Sequence, residues 1–99
     1  MNVKINAVHF KTDKKLQTFI KEKLMKLNTY YEGVIGAEVM LKLDNNEGRD
    51  NKIMEVRVII KGNDLFAVKE SKTFEEATDL VTEALKKQLL KYKDKVRRK

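Results

Sequence analysis

Hydrophobic and polar residues alternate with a period of two in four stretches of the chain, a pattern typical of strands that bury one face. These stretches lie at residues 2–10, 36–44, 52–62 and 64–71, and the last is the shortest. The polar sequence NNEGRDN predicts a hairpin loop between the second and third strands. The sequence GND predicts a tight turn before the fourth strand.

Two further stretches repeat their apolar residues at the spacing of an amphipathic helix. The first helix begins after a cap at Thr12 or Asp13, and Gly33 suits the left-handed residue that ends it. The second helix begins after Thr73 and runs to residue 96, roughly 36 Å at about 1.5 Å per residue. The predicted inner residues of the two helices are Leu16, Phe19, Ile20, Leu24, Leu27, Tyr30, Tyr31, Phe74, Ala77, Val81, Leu85, Gln88, Leu89, Tyr92 and Val96.

The element order β-α-β-β-β-α predicts an α+β fold with a four-stranded sheet and two helices packed on one of its faces. A right-handed crossover makes the first two strands parallel, and the remaining strands form an antiparallel meander. A chain of 99 residues suits one domain, so we expect a single unit over residues 1–99. The two helices then lie side by side in one basic layer, with a mildly acidic sheet behind them.

The residues that usually carry catalysis or metal binding are scarce in this sequence. There is no cysteine, His9 is the only histidine, and no glycine-rich phosphate loop is present. We therefore expect no enzymatic activity, no metal, no cofactor and no small-molecule substrate. The N-terminal residues do not resemble a signal peptide and no apolar run reaches membrane-spanning length, so we expect a cytoplasmic protein that binds no membrane.

The positive charge of the chain is concentrated rather than spread. The formal net charge is +7, and residues 86–99 hold eight Lys or Arg against one acidic residue. Residues 1–27 hold seven lysines against two acidic residues, whereas residues 28–85 are net acidic by five. Such segregation indicates an anionic partner, and nucleic-acid phosphates bound with salt-sensitive affinity fit best. A helical wheel places six basic residues on the outer arc of the second helix, namely Lys86, Lys87, Lys91, Lys93, Arg97 and Arg98.

Recognition of a nucleic acid is expected through its shape and phosphates, because the sequence has no helix-turn-helix, zinc-finger or ribonucleoprotein motif. Tyr30, Tyr31 and Tyr92 could stack on bases, but their inner positions favour packing at the rim of the core. Met25 and Leu90 point away from the apolar stripes, so we expect them to be exposed.

Two helical segments, KLQTFIKEKLMKLNTYY and KKQLLKYKDK, carry a resemblance to a known family, together with Ala67, Glu70, Ala77 and Asp79. The chain resembles, over nearly its whole length, the short ribosome hibernation promoting factors, a family that includes the ribosome-associated inhibitor and the sigma modulation proteins. One position departs from the family pattern. Members usually carry Asp-x-Tyr before the Ala of the second helix, whereas this chain has Glu75 in place of the Tyr, and Phe74 can supply aromatic packing instead.

The resemblance implies a protein that binds the small ribosomal subunit in the messenger and transfer RNA channel and inhibits translation by steric occlusion when growth slows. Both helices would face ribosomal RNA, and the free protein would be a monomer. Because the chain stops directly after the basic helix, we expect the short type, whose ribosome dimerisation involves a separate factor. The contact residues that the resemblance implies are Lys23, Lys26, Lys86, Lys87, Lys91, Lys93 and Lys95.

Two other functions remain open from the sequence. A general double-stranded RNA-binding module has an α-β-β-β-α order that is embedded in this one. Its basic cluster lies at the start of the last helix, however, where this chain has Glu75 and Glu76. A protein–protein adaptor for acidic partners, such as a transcription factor, is only weakly disfavoured.

Overall fold

The structure is a computed structural model that describes residues 1–44 and 51–97. Six regular elements and one short 3-10 helix make up the described chain. They are β1 (Asn2–Ala7), α1 (Lys14–Met25), the 3-10 helix (Lys26–Thr29), β2 (Val34–Leu43), β3 (Lys52–Ile60), β4 (Asn63–Ser71) and α2 (Phe74–Arg97). Most of the predicted loop NNEGRDN, at residues 45–50, lies outside the described residues, as does Arg98.

The strands form one four-stranded sheet in the order β1-β2-β3-β4. β1 pairs with β2 in parallel, and the other two pairs are antiparallel, as predicted. One row of the register runs through Ile5, Val39, Val56 and Ala67 across all four strands. These residues belong to the core or pack against it, so the row marks the face of the sheet that the helices cover.

Both helices pack on the same face of the sheet, which confirms the predicted α+β architecture. α1 and the 3-10 helix contribute Ile20, Leu24 and Leu27 to the core, and each is at most 2% exposed. α2 contributes a longer stripe, with Leu85 and Leu89 fully buried at its centre. The helices therefore form one layer of the molecule, and none of the described elements covers the other face of the sheet.

The predicted helix starts are confirmed by their hydrogen bonds. The carboxylate of Asp13 accepts a hydrogen bond from the backbone N–H of Leu16 at 2.7 Å. The hydroxyl of Thr73 accepts one from the backbone N–H of Glu76 at 3.0 Å. These side chains satisfy donors that the first turn of a helix leaves without a partner.

The start of α2 contains Phe74 and Glu75, where the sequence differs from the pattern that it resembles. Phe74 is buried, and its ring stacks on Phe10 with centroids 5.5 Å apart and planes 10° from parallel. Glu75, which the resemblance matches to a tyrosine, is exposed. Aromatic packing at this site thus comes from Phe74, as the sequence suggested.

The end of the first helix differs from the prediction. α1 ends at Met25 and tightens into the 3-10 helix, which ends at Thr29 rather than near Gly33. Gly33 is not left-handed, whereas Gly62 in the β3–β4 turn has φ 82°. A Cβ atom on Gly33 would lie 2.5 Å from Cε2 of Tyr31, so a larger residue there would make the tyrosine ring shift from this position.

Two smaller predictions were also wrong. β4 spans nine residues and is as long as β3, because the two strands pair along their whole length from the Gly62 turn. Val96, predicted to face inward, is 45% exposed. It lies beyond the buried part of α2, where the sheet no longer covers the helix.

Candidate nucleic-acid interface

α1, the 3-10 helix and α2 lie side by side and form a surface that we call the helical layer. An ion pair between Lys23 Nζ and Asp79 Oδ1, at 3.1 Å, joins α1 to α2 across this layer. Lys23 also lies 5.6 Å from the ring centroid of Phe19, with its side chain 35% exposed. The two basic helices are therefore neighbours, as the sequence predicted.

An inter-helix groove runs between α1, the 3-10 helix and α2. It brings together three of the predicted contact lysines, Lys23, Lys26 and Lys86, which come from both ends of the chain. The ammonium group of Lys86 lies 5.1 Å from the ring centroid of Tyr30. This is the range of a cation–π contact, which orients the lysine stem without neutralising its charge. The remaining residues that line the groove are Leu27, Tyr30, Thr82 and Glu83.

The opposite flank of α2 carries a second group of predicted contact residues. Lys91 and Lys95 line a hollow against β4, together with Gln88. The Gln88 amide donates a hydrogen bond to the backbone oxygen of Phe66 at 3.0 Å, which fixes this flank against the sheet edge. The predicted outer arc of α2 is therefore divided between two sides of the helix.

A third group of residues lies where α2 passes the end of the 3-10 helix. They form a terminal cleft of about 430 Å³, and Lys93 is half-buried in its wall. Lys87 is exposed between the two flanks, and Arg97 closes α2. The residues that line the terminal cleft are Thr29, Tyr30, Tyr31, Glu32, Gly33, Lys93 and Val96.

Few lysines of the helical layer have a carboxylate partner among residues 1–44 and 51–96. Among the ion pairs of residues 1–44 and 51–96, Lys23–Asp79 is the one that involves a predicted contact residue. The other lysines of the predicted interface keep their charge available to an external anion. Like charges gathered in this way repel one another, and a bound polyanion relieves that repulsion.

The outer face of the sheet has a different electrostatic character. Lys42 contacts Glu55 at 2.6 Å, and Arg57 contacts both Glu38 at 3.1 Å and Asp64 at 3.4 Å. The face therefore carries charges of both signs that neutralise each other locally. Three of its described carboxylates, Glu38, Glu55 and Asp64, are each paired with a cation. The mildly acidic character of the sheet stays a prediction.

The three tyrosines pack at the rim of the core, as the sequence favoured. Each is half-buried, and the rings of Tyr31 and Tyr92 meet edge to face at 5.5 Å and 77°. Met25 and Leu90 are 53% and 43% exposed, which confirms that they point away from the apolar stripes. The contact between Tyr30 and Lys86 was missed from the sequence, because no pattern links residues so far apart in the chain.

The remaining candidate chemistry is sparse in the described residues. His9 is exposed and has φ 64°, a left-handed conformation in the bend after β1. No group of three or more His, Cys, Asp or Glu side chains suited to a metal ion occurs in the described part of the chain. Within the same residues, no helix has the length and apolar character needed to cross a bilayer.

Sequence comparison identifies related proteins. The family described as Sigma 54 modulation protein / S30EA ribosomal protein matches residues 3–97. A ribosome hibernation promoting factor of Pseudomonas putida is 24% identical over 95 residues, which cover 96% of this chain and 89% of that protein.

Two solved structures share the fold. A ribosomal subunit interface protein from Coxiella burnetii superposes with a TM-score of 0.84 at 20% identity, covering 95% of this chain and 99% of that one. The N-terminal domain of Protein Y from Thermus thermophilus superposes with a TM-score of 0.80 at 22% identity, covering 93% of this chain and 99% of that one.

Proposed function

This chain belongs to the Sigma 54 modulation protein / S30EA ribosomal protein family, and from this membership we propose that it is a ribosome hibernation factor that binds the small ribosomal subunit. The family is one of ribosome-binding proteins rather than enzymes. Residues 1–99 would act as a single ribosome-binding domain in the cytoplasm, where ribosomes translate.

The observation that carries this proposal is the helical layer. Its lysines are clustered from two helices, and in the described residues only Lys23 is held by a carboxylate. A surface of this kind suits folded RNA, whose phosphates supply dense negative charge over an extended area. The proposed RNA contacts are Lys23, Lys26, Lys86, Lys87, Lys91, Lys93, Lys95, Arg97 and Arg98.

The proposed mechanism is steric and electrostatic. The described part of the protein measures 48 × 24 × 18 Å, and its long dimension is of the order of the length of α2. Such a body, held by its helical layer on ribosomal RNA, would fill part of the channel where messenger and transfer RNAs bind. Those ligands would be excluded and translation inhibited without any bond being made or broken.

Sedimentation through a sucrose gradient tests this proposal. Tagged protein is mixed with purified small subunits, large subunits or whole ribosomes, and we expect it to comigrate with small subunits and whole ribosomes. Transfer RNA and messenger RNA bound beforehand should reduce the amount that comigrates, because they occupy the same channel. Protein that stays at the top of every gradient would contradict the proposal.

The same gradients separate the two other functions. An excess of duplex RNA without ribosomal sequence should leave most of the protein on the ribosomes. Complete release by that competitor would favour a general double-stranded RNA-binding module. An adaptor for acidic proteins would stay free of ribosomes in all of these conditions.

A further inference from the structure

We infer that the terminal cleft holds one unpaired nucleotide of the bound RNA, with its base against the tyrosines and its phosphate at Lys93. This inference rests on the proposed function and adds a site for a single nucleotide to the phosphate contacts of the helical layer. The cleft opens where the 3-10 helix ends beside the last turns of α2, so it continues the basic surface.

The size and walls of the cleft suit a nucleobase. Its volume of about 430 Å³ is within the range of about 300–1,000 Å³ that is usual for small-molecule sites. One wall is the ring of Tyr31, which Tyr92 meets edge to face at 5.5 Å. Gly33 leaves space for the Tyr31 ring, since a Cβ on residue 33 would lie 2.5 Å from Cε2 of Tyr31. The aromatic wall is thus supported on one side by the Tyr92 ring.

The polar groups of the cleft suit the two ends of a nucleotide. Lys93 supplies a cation for the phosphate. The carboxylate of Glu32 would repel a phosphate, but it can accept a hydrogen bond from the exocyclic amino group of a base. The base edge would therefore face Glu32, which favours adenine, cytosine or guanine over uracil, because uracil has no amino group.

Tyr30 joins the terminal cleft to the inter-helix groove. Its ring lines both cavities, and Lys86 lies 5.1 Å from its centroid on the groove side. A backbone whose phosphates follow Lys23, Lys26 and Lys86 along the groove can therefore deliver its next nucleotide to the cleft. The ligand that fits both features is RNA with an unpaired nucleotide beside a helix, since unstacked bases are the ones that aromatic side chains bind.

The chain offers a direct optical test of this site. It has three tyrosines and no tryptophan, and all three tyrosines line the cleft or contact its wall. Tyrosine emission therefore reports on this cleft and on the two neighbouring cavities that Tyr30 and Tyr92 also line. We would titrate the full chain at low salt with two RNA hairpins of equal charge, one with a bulged adenosine and one fully paired, correcting for RNA absorbance with a free tyrosine derivative.

We expect the bulged hairpin to quench the emission and to bind about tenfold more tightly than the paired one, as stacking of one base provides. Equal emission changes with both hairpins would overturn the inference and leave the proposed function intact. Failure of both hairpins to bind would also overturn the inference. The proposed function is tested independently by the sucrose gradients.

A matched pair of variants tests the base edge. Glu32→Gln in the cleft and Glu22→Gln on α1 make the same charge change at exposed positions. Glu32→Gln should reduce the preference for a bulged adenosine over a bulged uridine severalfold, whereas Glu22→Gln should keep it. Identical preferences in the two variants would remove Glu32 from the site and overturn the proposed orientation of the base.

Discussion

The two broad surfaces of this protein handle charge in opposite ways. On the outer face of the sheet, Lys42 and Arg57 are each held by carboxylates on neighbouring strands. On the helical layer, the described lysines other than Lys23 have no carboxylate partner within the described chain. Both surfaces contain cations, so the presence of positive charge is not what distinguishes them.

The difference lies in where the neutralising anion comes from. Cross-strand pairs on the sheet satisfy their charges locally, and such exposed pairs contribute about 0–1 kcal/mol each to stability. Most lysines of the helical layer have no such local pair among the described residues, so they repel one another. Binding of a polyanion lowers the free energy of this surface, because the positive charges are neutralised and the counterions of the polyanion are released. The comparison therefore separates a surface whose charges are paired within the fold from one whose charges we propose are paired by a bound RNA.

Charge reversal on the helical layer is expected to change ribosome affinity the most. We predict that changing Lys86, Lys87, Lys91 and Lys93 to Glu weakens ribosome binding by about a hundredfold or more, because four phosphate contacts become repulsive. The residues are not part of the buried core, so the fold should survive. Cosedimentation measures the binding, and circular dichroism measures the fold.

The matched control changes four lysines outside the predicted contacts to Glu. Lys4, Lys11, Lys69 and Lys72 are all exposed, and their reversal gives the same change in net charge. This control variant should bind within a fewfold of the original protein. Equal loss of binding in both variants would mean that net charge alone governs binding and that the helical layer has no special role.

Salt dependence gives an intermediate effect. We predict that the logarithm of ribosome affinity falls with the logarithm of salt concentration at a slope of several units, with each phosphate contact adding about −0.7 to −0.9. Lys87→Gln should make the slope shallower by about one contact, whereas Lys4→Gln on the sheet face should leave it unchanged. A flat response in the original protein would indicate an apolar interface instead.

The smallest expected effect comes from the one ion pair within the predicted interface. Asp79→Asn frees Lys23 to contact phosphate, so we predict affinity about two- to fivefold higher and an unfolding free energy lower by at most about 1 kcal/mol. Glu38→Gln, which removes a carboxylate of the sheet face, should lower stability to a similar extent without tightening binding. The measurements are binding titrations and chemical denaturation, and equal tightening in both variants would contradict the comparison.

Local sequence determined most of the fold. Period-two alternation placed the strands, and apolar spacing with Asp13 and Thr73 as caps placed both helix starts, because these signals act over a few neighbouring residues. The end of the first helix escaped this reasoning. The sequence predicts that Gly33 stops this helix in a left-handed conformation, but the chain tightens into a 3-10 helix first, and Gly33 is not left-handed.

The basic character of both helices could be predicted from the sequence, but the arrangement of their charges on the surface could not. Only the packing of the helices decided that Lys86 joins Lys23 and Lys26 in one groove while Lys91 lies on the opposite flank of α2. The pairing of Lys23 with Asp79 and the terminal cleft were decided in the same way. The rotation and offset of two helices on a sheet are set by core contacts between residues far apart in the chain, and no local pattern encodes them.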